Sequence, residues 1–338
     1  MIIVMRKFAG KDQIEHVIQA VIKLDLKPVP LYGVERTVIA VIGDERPVDE
    51  HHISSLPGVD RVMAVLDPYK LASRETKHED TIIDLGDGVK VGGKKIAMMA
   101  GPCAVENEAQ METAAKAVKK AGAEIMRGGA FKPRTSPYSF EGLGTDGLKL
   151  LSQTAKRHGL KTVTEVLDIR DIGTVDKYAD IFQIGARNMQ NFNLLKEVGK
   201  TKKPVLLKRG MSSTVKEFLL AAEHIMTNGN SNVILCERGI RTFETETRNT
   251  LALATVPLIK ELSHLPIVVD PSHSTGKPSL VAPMTKAAIA AGADGILVDV
   301  HPNPEEALCD GDQAIRPEAF EKLMIELKPI AEAVGRNL

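Results

Sequence analysis

The feature that most constrains this chain is a regular alternation that starts near residue 96 and continues to the end. A short β-branched or apolar run is followed by a few glycine or polar residues, then by a stretch with helical spacing. Residues 96–100, 124–127, 161–166, 181–184, 204–207, 233–235, 266–269 and 295–298 read as strands. Helix-like stretches such as 108–121, 147–158, 215–226 and 280–291 lie between them, and Gly122, Gly159, Gly229 and Gly292 stand where a helix would end in a left-handed residue. Regular β–α alternation implies parallel strands, and eight such units in this length fit a closed (β/α)8 TIM barrel over 96–338. A doubly wound open sheet is the alternative. It usually carries a glycine-rich dinucleotide turn after its first strand, and Gly101-Pro102-Cys103 is not one.

The first 66 residues follow another rule. Strand-like 2–5, helix-like 12–24, strand-like 37–42, helix-like 50–56 and strand-like 62–65, with a weak strand at 27–31, give the order βαββαβ of a small ferredoxin-like α+β domain. Residues 67–95 read as a polar connector ending in a β-hairpin over 81–93, with Asp87-Gly88 as its turn.

Several partner classes are excluded. Lys+Arg and Asp+Glu balance at 44 each, whereas nucleic-acid binding needs a basic surplus. No apolar run approaches the roughly 20 residues that span a bilayer. Residues 1–8 are a short apolar run broken by Arg6 and Lys7, unlike a secretory signal. Three cysteines make no disulfide framework, so the expected compartment is the cytoplasm.

Chemistry concentrates where the barrel strands end. In order stand Cys103, Arg127, Glu165, Arg187, Lys208, Arg238, His273 and Asp299. Active sites of such barrels are built from strand C-termini and the loops after them. Arg127, Lys132, Arg134, Arg187, Lys208 and Arg238 would converge on one mouth, and like charges gathered there need a polyanion. Lys132-Pro133-Arg134-Thr135-Ser136 places two hydroxyls beside the cations, as a phosphate-gripping loop would. Cys103, His273, Asp299 and Asp310 offer sulfur, nitrogen and oxygen ligands for one divalent ion such as Zn, Mn, Fe or Co, once a barrel brings them together. Cys236 and Cys309 read as buried or incidental thiols. Glu165 reads as a counter-ion or a proton-transfer group.

Ordered motifs across the chain carry a resemblance. They are Ala100-Gly101-Pro102-Cys103, Arg127-Gly128-Gly129-Ala130 leading into Lys132-Pro133-Arg134-Thr135-Ser136, Gln183-Ile184-Gly185-Ala186-Arg187, Leu207-Lys208-Arg209-Gly210, Cys236-Glu237-Arg238-Gly239 and Asp270-Pro271-Ser272-His273-Ser274. Together they resemble the 3-deoxy-D-arabino-heptulosonate 7-phosphate (DAHP) synthases of the shikimate pathway, in the form with an N-terminal ferredoxin-like (ACT-type) domain. The resemblance implies condensation of phosphoenolpyruvate with erythrose 4-phosphate and release of phosphate. It implies that Arg127, Lys132, Arg187, Lys208 and Arg238 hold phosphoenolpyruvate, and that Arg134, Thr135 and Ser136 hold erythrose 4-phosphate. Cys103, His273, Asp299 and Asp310 would hold the metal, and Lys132 and Glu165 would handle protons. It further implies a regulatory N-terminal domain that binds tyrosine or phenylalanine, and a homotetramer.

One departure stands out. The resembling family usually has Glu where this chain has Asp299, one methylene shorter, so that ligand would reach the metal less well. His301 beside it reads as a residue supporting the metal site. The rival readings are an octulosonate 8-phosphate synthase using arabinose 5-phosphate and a non-catalytic phosphosugar sensor. Lys132-Pro133-Arg134 favours the four-carbon acceptor, and the full set of site residues argues against a sensor.

Overall fold

The computed structural model describes residues 1–33, 35–43, 50–63, 68–134 and 136–338. These form two compact units, 1–79 with 261–264, and 80–260 with 265–338. The expected boundary at 66 falls among residues 64–67, outside the described ones. The contacts divide after Glu79 instead, and the connector expected over 67–95 is shared between the units.

In the first unit, β1 (Ile2–Met5), α1 (Lys11–Lys23), β2 (Lys27–Tyr32), β3 (Thr37–Ile42), α2 (Glu50–Ser54) and β4 (Val59–Met63) follow the ferredoxin-like order. The sheet is antiparallel in the order β2-β3-β1-β4. Ile14, Val17 and Val21 recur at helical spacing on α1 and pack with Ile3, Met5, Ile39, Val41 and Ile53. The last strand, expected at 62–65, begins earlier, because exposed Asp60 and Arg61 interrupt the apolar run while the ladder to β1 continues through Arg61 and Val59, with Asp60 at a bulge between them. Ala64 and Val65 lie outside the described residues.

The second unit opens with a hairpin, β5 (Ile83–Asp84) and β6 (Lys90–Val91). Eight parallel strands follow: β7 (Ala97–Gly101), β8 (Ile125–Arg127), β9 (Lys161–Glu165), β10 (Ile181–Ile184), β11 (Val205–Lys208), β12 (Val233–Glu237), β13 (Ile267–Val269) and β14 (Gly295–Asp299). β14 pairs with β7 and closes the barrel. The helices between and after them are α3 (Glu108–Ala121), α4 (Gly144–Arg157), α5 (Ile172–Val175), α6 (Phe192–Gly199), α7 (Val215–Met226), α8 (Thr255–Leu262), α9 (Pro271–Thr275), α10 (Pro278–Ala290) and α11 (Pro317–Ala333).

Ile83, Val89 and Val91 of the hairpin join one buried cluster with Met99, Ile125, Val163, Ile181, Leu206, Ile234, Val268 and Leu297 of the barrel. Apolar packing thus fills the barrel from its N-terminal end, and the C-terminal end is left for polar groups. Four strands run further than their apolar runs, ending at Gly101, Lys208, Glu237 and Asp299. Those residues are polar or lack a side chain, so hydropathy marks the strand as ended while the ladder continues.

Candidate active site

The C-terminal mouth of the barrel holds a cavity of about 330 Å³. All six expected cations line it, joined by Arg248 from the long loop after β12. Seven cations therefore face a space whose carboxylates are Glu165 and Asp310. Ser136 lines the same cavity, and Thr135 lies outside the described residues.

These cations differ in what holds them. Lys208 Nζ stands 2.6 Å from Asp270 Oδ2, with both side chains buried. Arg127 Nη1 stands 2.8 Å from Asp299 Oδ1, also buried, at ion-pair distance but without a well-aligned hydrogen bond. Arg238 donates from Nη2 to the His273 carbonyl at 3.1 Å. Arg127 Nε and Arg238 Nη1 are buried donors with no hydrogen-bond partner. Such donors carry an energetic cost of about 1–3 kcal/mol each unless a ligand satisfies them. Burial pushes the Arg238 guanidinium below its usual value, and Asp270 only partly offsets this. Burial acts the same way on Arg127, but there Asp299, Cys103 and Asp270 together outweigh it and the guanidinium is held charged. Arg187 sits on a single turn after β10, exposed, with its charge free for an incoming anion.

Lys132 donates from Nζ to the Cys103 carbonyl at 3.1 Å and to Cys103 Sγ at 3.0 Å. Its approach requires Gly129, since a Cβ there would stand 2.8 Å from Lys132 Cδ. Burial disfavours the ammonium, but the thiols of Cys103 and Cys309 outweigh it and keep Lys132 protonated. Glu165, at the end of β9, accepts from Gln183 Nε2 at 3.3 Å. A Cβ on Gly185 would lie 2.0 Å from Glu165 Oε1, so the glycine gives the carboxylate its place.

The four expected metal ligands meet beside these groups. Cys103 Sγ is 3.1 Å from Asp310 Oδ2 and 3.8 Å from His273 Nε2, and His273 Nε2 is 3.6 Å from Asp310 Oδ2. Cys103, His273 and Asp299 offer donor atoms within 4.8 Å of one another, and so do Cys103, Cys309 and Asp310. The donor set suits a divalent ion. Asp270 fixes His273 in position to serve it. This carboxylate caps the short helix α9 by accepting from the His273 backbone N–H at 2.8 Å, and its other oxygen lies 2.9 Å from His273 Nδ1. A carboxylate on Nδ1 leaves Nε2 as the ligating nitrogen. Burial disfavours the imidazolium, yet Asp270 and Asp299 outweigh it and raise His273 to about 10. An arriving cation would displace that proton. Asp310 is held well below the usual carboxylate range, because contacts with His273 and Arg248 overcome its burial.

Cys309, read as a buried or incidental thiol, is buried, but its surroundings set it among the charged groups of the mouth. Its Sγ lies 3.7 Å from Cys103 Sγ and accepts from Arg134 Nη1 at 2.8 Å. The contact between the thiols raises Cys103 and lowers Cys309 to about 7, so the thiolate of the pair resides on Cys309 beside Lys132 and Arg134. Its one sequence signal was adjacency to Asp310. Cys236 does belong to the barrel core. Sequence reasoning also missed Arg248, which stands 3.2 Å from Asp310 Oδ1, and Gln313, which donates to Asp299 Oδ2 at 2.6 Å. Arg248 sits in a loop and Gln313 in a single 3-10 turn, and neither carries a periodicity. Asp270 was visible only as part of the Asp270-Pro271-Ser272-His273 motif. His301 stands 3.4 Å from Glu106 Oε2, one remove from the ligands.

Comparison with known proteins agrees with this geometry. Residues 76–334 match the DAHP synthetase I family, and residues 1–67 match the DAHP synthase ferredoxin-like domain. The chain is 51% identical over 335 residues to a phospho-2-dehydro-3-deoxyheptonate aldolase of Thermotoga maritima, covering 99% of each. It is 29% identical over 264 residues to a 2-dehydro-3-deoxyphosphooctonate aldolase of Syntrophotalea carbinolica, covering 73% of this chain and 94% of that protein. The crystal structure of the Thermotoga maritima DAHP synthase superposes with a TM-score of 0.79 at 50% identity, covering 99% of this chain and 98% of that one. A truncated form of the Thermotoga maritima enzyme superposes with a TM-score of 0.75, covering 80% of this chain and 98% of that one. With both units matched and a cation-lined barrel mouth beside a cluster of metal-type donors, this chain belongs to the DAHP synthetase I family.

Proposed function

We infer that this protein is a DAHP synthase, condensing phosphoenolpyruvate with erythrose 4-phosphate to give 3-deoxy-D-arabino-heptulosonate 7-phosphate and inorganic phosphate. This is the first step of the shikimate pathway to the aromatic amino acids. The observation that carries the reading is the excess of cations in one cavity, with buried donors on Arg127 and Arg238 left without partners. Two phosphates and a carboxylate arriving together would satisfy them.

Arg127, Lys132, Arg187, Lys208 and Arg238 bind the carboxylate and phosphate of phosphoenolpyruvate. Arg134, Thr135 and Ser136 bind the phosphate of erythrose 4-phosphate. Cys103, His273 and Asp310 would hold the metal, with the shorter Asp299 as the fourth ligand that the family resemblance implies. A divalent ion held there supplies Lewis acidity toward the aldehyde oxygen. The aldehyde carbon forms a bond to C3 of phosphoenolpyruvate, water adds at C2, and phosphate departs with cleavage of its C–O bond. Lys132, kept protonated beside Cys103, gives a proton to the aldehyde oxygen. Glu165 takes one from the attacking water.

The first unit regulates the second. Its sheet face opposite the helices borders a cavity of about 430 Å³ whose walls include Val4, Leu31, Tyr32, Val38, Arg36 and Arg61. Apolar side chains on one side, with guanidinium groups and the carboxylates of Glu35, Glu75 and Glu79 around them, suit the ring and the two charged ends of an aromatic amino acid, and tyrosine or phenylalanine is the effector. The assembly is a homotetramer, and the compartment is the cytoplasm. Among the described residues no helix is long and apolar enough to cross a membrane.

The test is a phosphate-release assay with phosphoenolpyruvate and either erythrose 4-phosphate or arabinose 5-phosphate, on chelated and metal-restored protein. Release with the four-carbon sugar, lost on chelation and recovered with metal, is expected. Release with arabinose 5-phosphate alone would assign the octulosonate reaction, and none with either would leave a sensor.

A further inference from the structure

We propose that Cys309, and not Asp299, is the fourth protein ligand of the metal, making the centre Cys103, His273, Cys309 and Asp310. The inference rests on the metal-dependent reading above and changes one member of its ligand set. It starts at the imidazole, whose two nitrogens face away from each other. Cys103 Sγ and Asp310 Oδ2 stand on the Nε2 side of His273, at 3.8 Å and 3.6 Å. Asp299 Oδ2 stands 3.5 Å from Nδ1, the nitrogen that also faces Asp270. An ion on Nε2 has Cys103 and Asp310 beside it, whereas Asp299, though within 4.8 Å of donors on both Cys103 and His273, makes its nearest approach to the ring on the Nδ1 side.

Spacing between donors agrees. Two sulfurs each about 2.3 Å from a tetrahedral ion lie about 3.8 Å apart. Cys103 Sγ and Cys309 Sγ lie 3.7 Å apart in reduced form. Asp299 is committed elsewhere: Oδ2 accepts from Gln313 Nε2 at 2.6 Å, and Oδ1 faces Arg127 Nη1 at 2.8 Å. Its side chain is fully buried and does not line the cavity, whereas Cys309 does.

Charge balance points the same way. Two thiolates and a carboxylate exceed the charge of a divalent ion, and a buried surplus needs compensation. Each anionic donor has its own cation. Lys132 Nζ stands 3.0 Å from Cys103 Sγ, Arg134 Nη1 2.8 Å from Cys309 Sγ, and Arg248 Nη1 3.2 Å from Asp310 Oδ1. The shortened acid at 299 thus coincides with a thiol that fills the gap. A ligand set with two sulfurs is softer, and it favours Zn, Co or Cd over Mn.

The experiment replaces the metal of the purified, chelated protein with Co(II) and reads the near-ultraviolet thiolate-to-cobalt absorption. Wild type should show it, Cys309→Ser and Cys103→Ser should each lose about half, and the double variant should lose all. Asp299→Asn should keep the full band at full Co(II) stoichiometry. Undiminished absorption in Cys309→Ser overturns the proposal, as does loss of bound Co(II) in a folded Asp299→Asn. Zinc-edge X-ray absorption on wild type needs no variant: two sulfurs per zinc support the assignment, and one sulfur overturns it. A wild-type protein that binds neither ion defeats the metal reading itself, a different failure from a bound ion with one sulfur.

Discussion

Individual side chains divide the labour at the barrel mouth by how far each is committed to protein partners. Lys208 and Arg127 are fixed by buried carboxylates, whereas Arg187 is exposed and keeps its charge for an incoming anion. Arg134, facing Cys309, stands near the metal donors. If the two substrates are held by separate cations, Arg134→Ala raises KM for erythrose 4-phosphate and Arg187→Ala raises KM for phosphoenolpyruvate. Each loses a charge-assisted contact of about 1.5–3 kcal/mol, roughly ten- to a hundred-fold. Steady-state kinetics with one substrate varied at a time measures this, and equal effects in both variants would refute the division. Asp270 has a different role, serving His273 and Lys208 together. Asp270→Asn leaves an amide to cap the helix but removes the charge behind the imidazole. Metal affinity should fall about 10- to 100-fold, as for other carboxylates behind a ligating histidine. Titration against a competing chelator reads that affinity directly, and unchanged affinity would show that the carboxylate is dispensable.

At the level of elements, the site depends on how strands end. β9 and β10 deliver Glu165 and Gly185 side by side, and the missing side chain at 185 is what admits the carboxylate. Gly185→Ala should expel Glu165 from its position beside Gln183, since the new methyl would overlap Oε1. The backbone of Gly185 is in an ordinary extended conformation, so the strain falls on the carboxylate and not on the fold. Turnover should fall by about a hundred-fold, the scale of a lost proton-transfer group, with a change of at most about 1–3 kcal/mol in stability. Kinetics and thermal unfolding on the same sample separate the two effects, and undiminished turnover would remove Glu165 from the chemistry. The motif Gly185-Ala186-Arg187 was legible as sequence, but its glycine could have served a turn as easily. Only the neighbouring strand shows what it makes room for.

For the molecule as a whole, the question is which unit carries which activity. Every residue of the described site belongs to the second unit. A chain beginning at Asp80 keeps the hairpin that fills the N-terminal end of the barrel and should retain turnover. Inhibition by tyrosine or phenylalanine should be lost, because an effector can act only by favouring one state of the regulated protein over another, typically by about 1–3 kcal/mol. Assays of full-length and truncated protein with each amino acid test this. Inhibition that survives truncation would place the effector site in the barrel.

Hydrophobic periodicity and glycine placement were enough to read eight βα units, the preceding ferredoxin-like order and the hairpin between them, because burial imposes a period on local sequence. Eight residues at or just after eight strand ends were enough to expect one cation-lined mouth, since a parallel barrel carries all such ends to one face, and the six expected cations do line one cavity there. Cys309, Arg248, Gln313 and the role of Asp270 escaped that reading. Each acts through a contact made across the mouth by a loop or a single helical turn, and no period in the sequence encodes such a contact. The choice between Asp299 and Cys309 is of the same kind. One methylene of reach and the facing of a histidine ring decide it, and both are properties of the packed site.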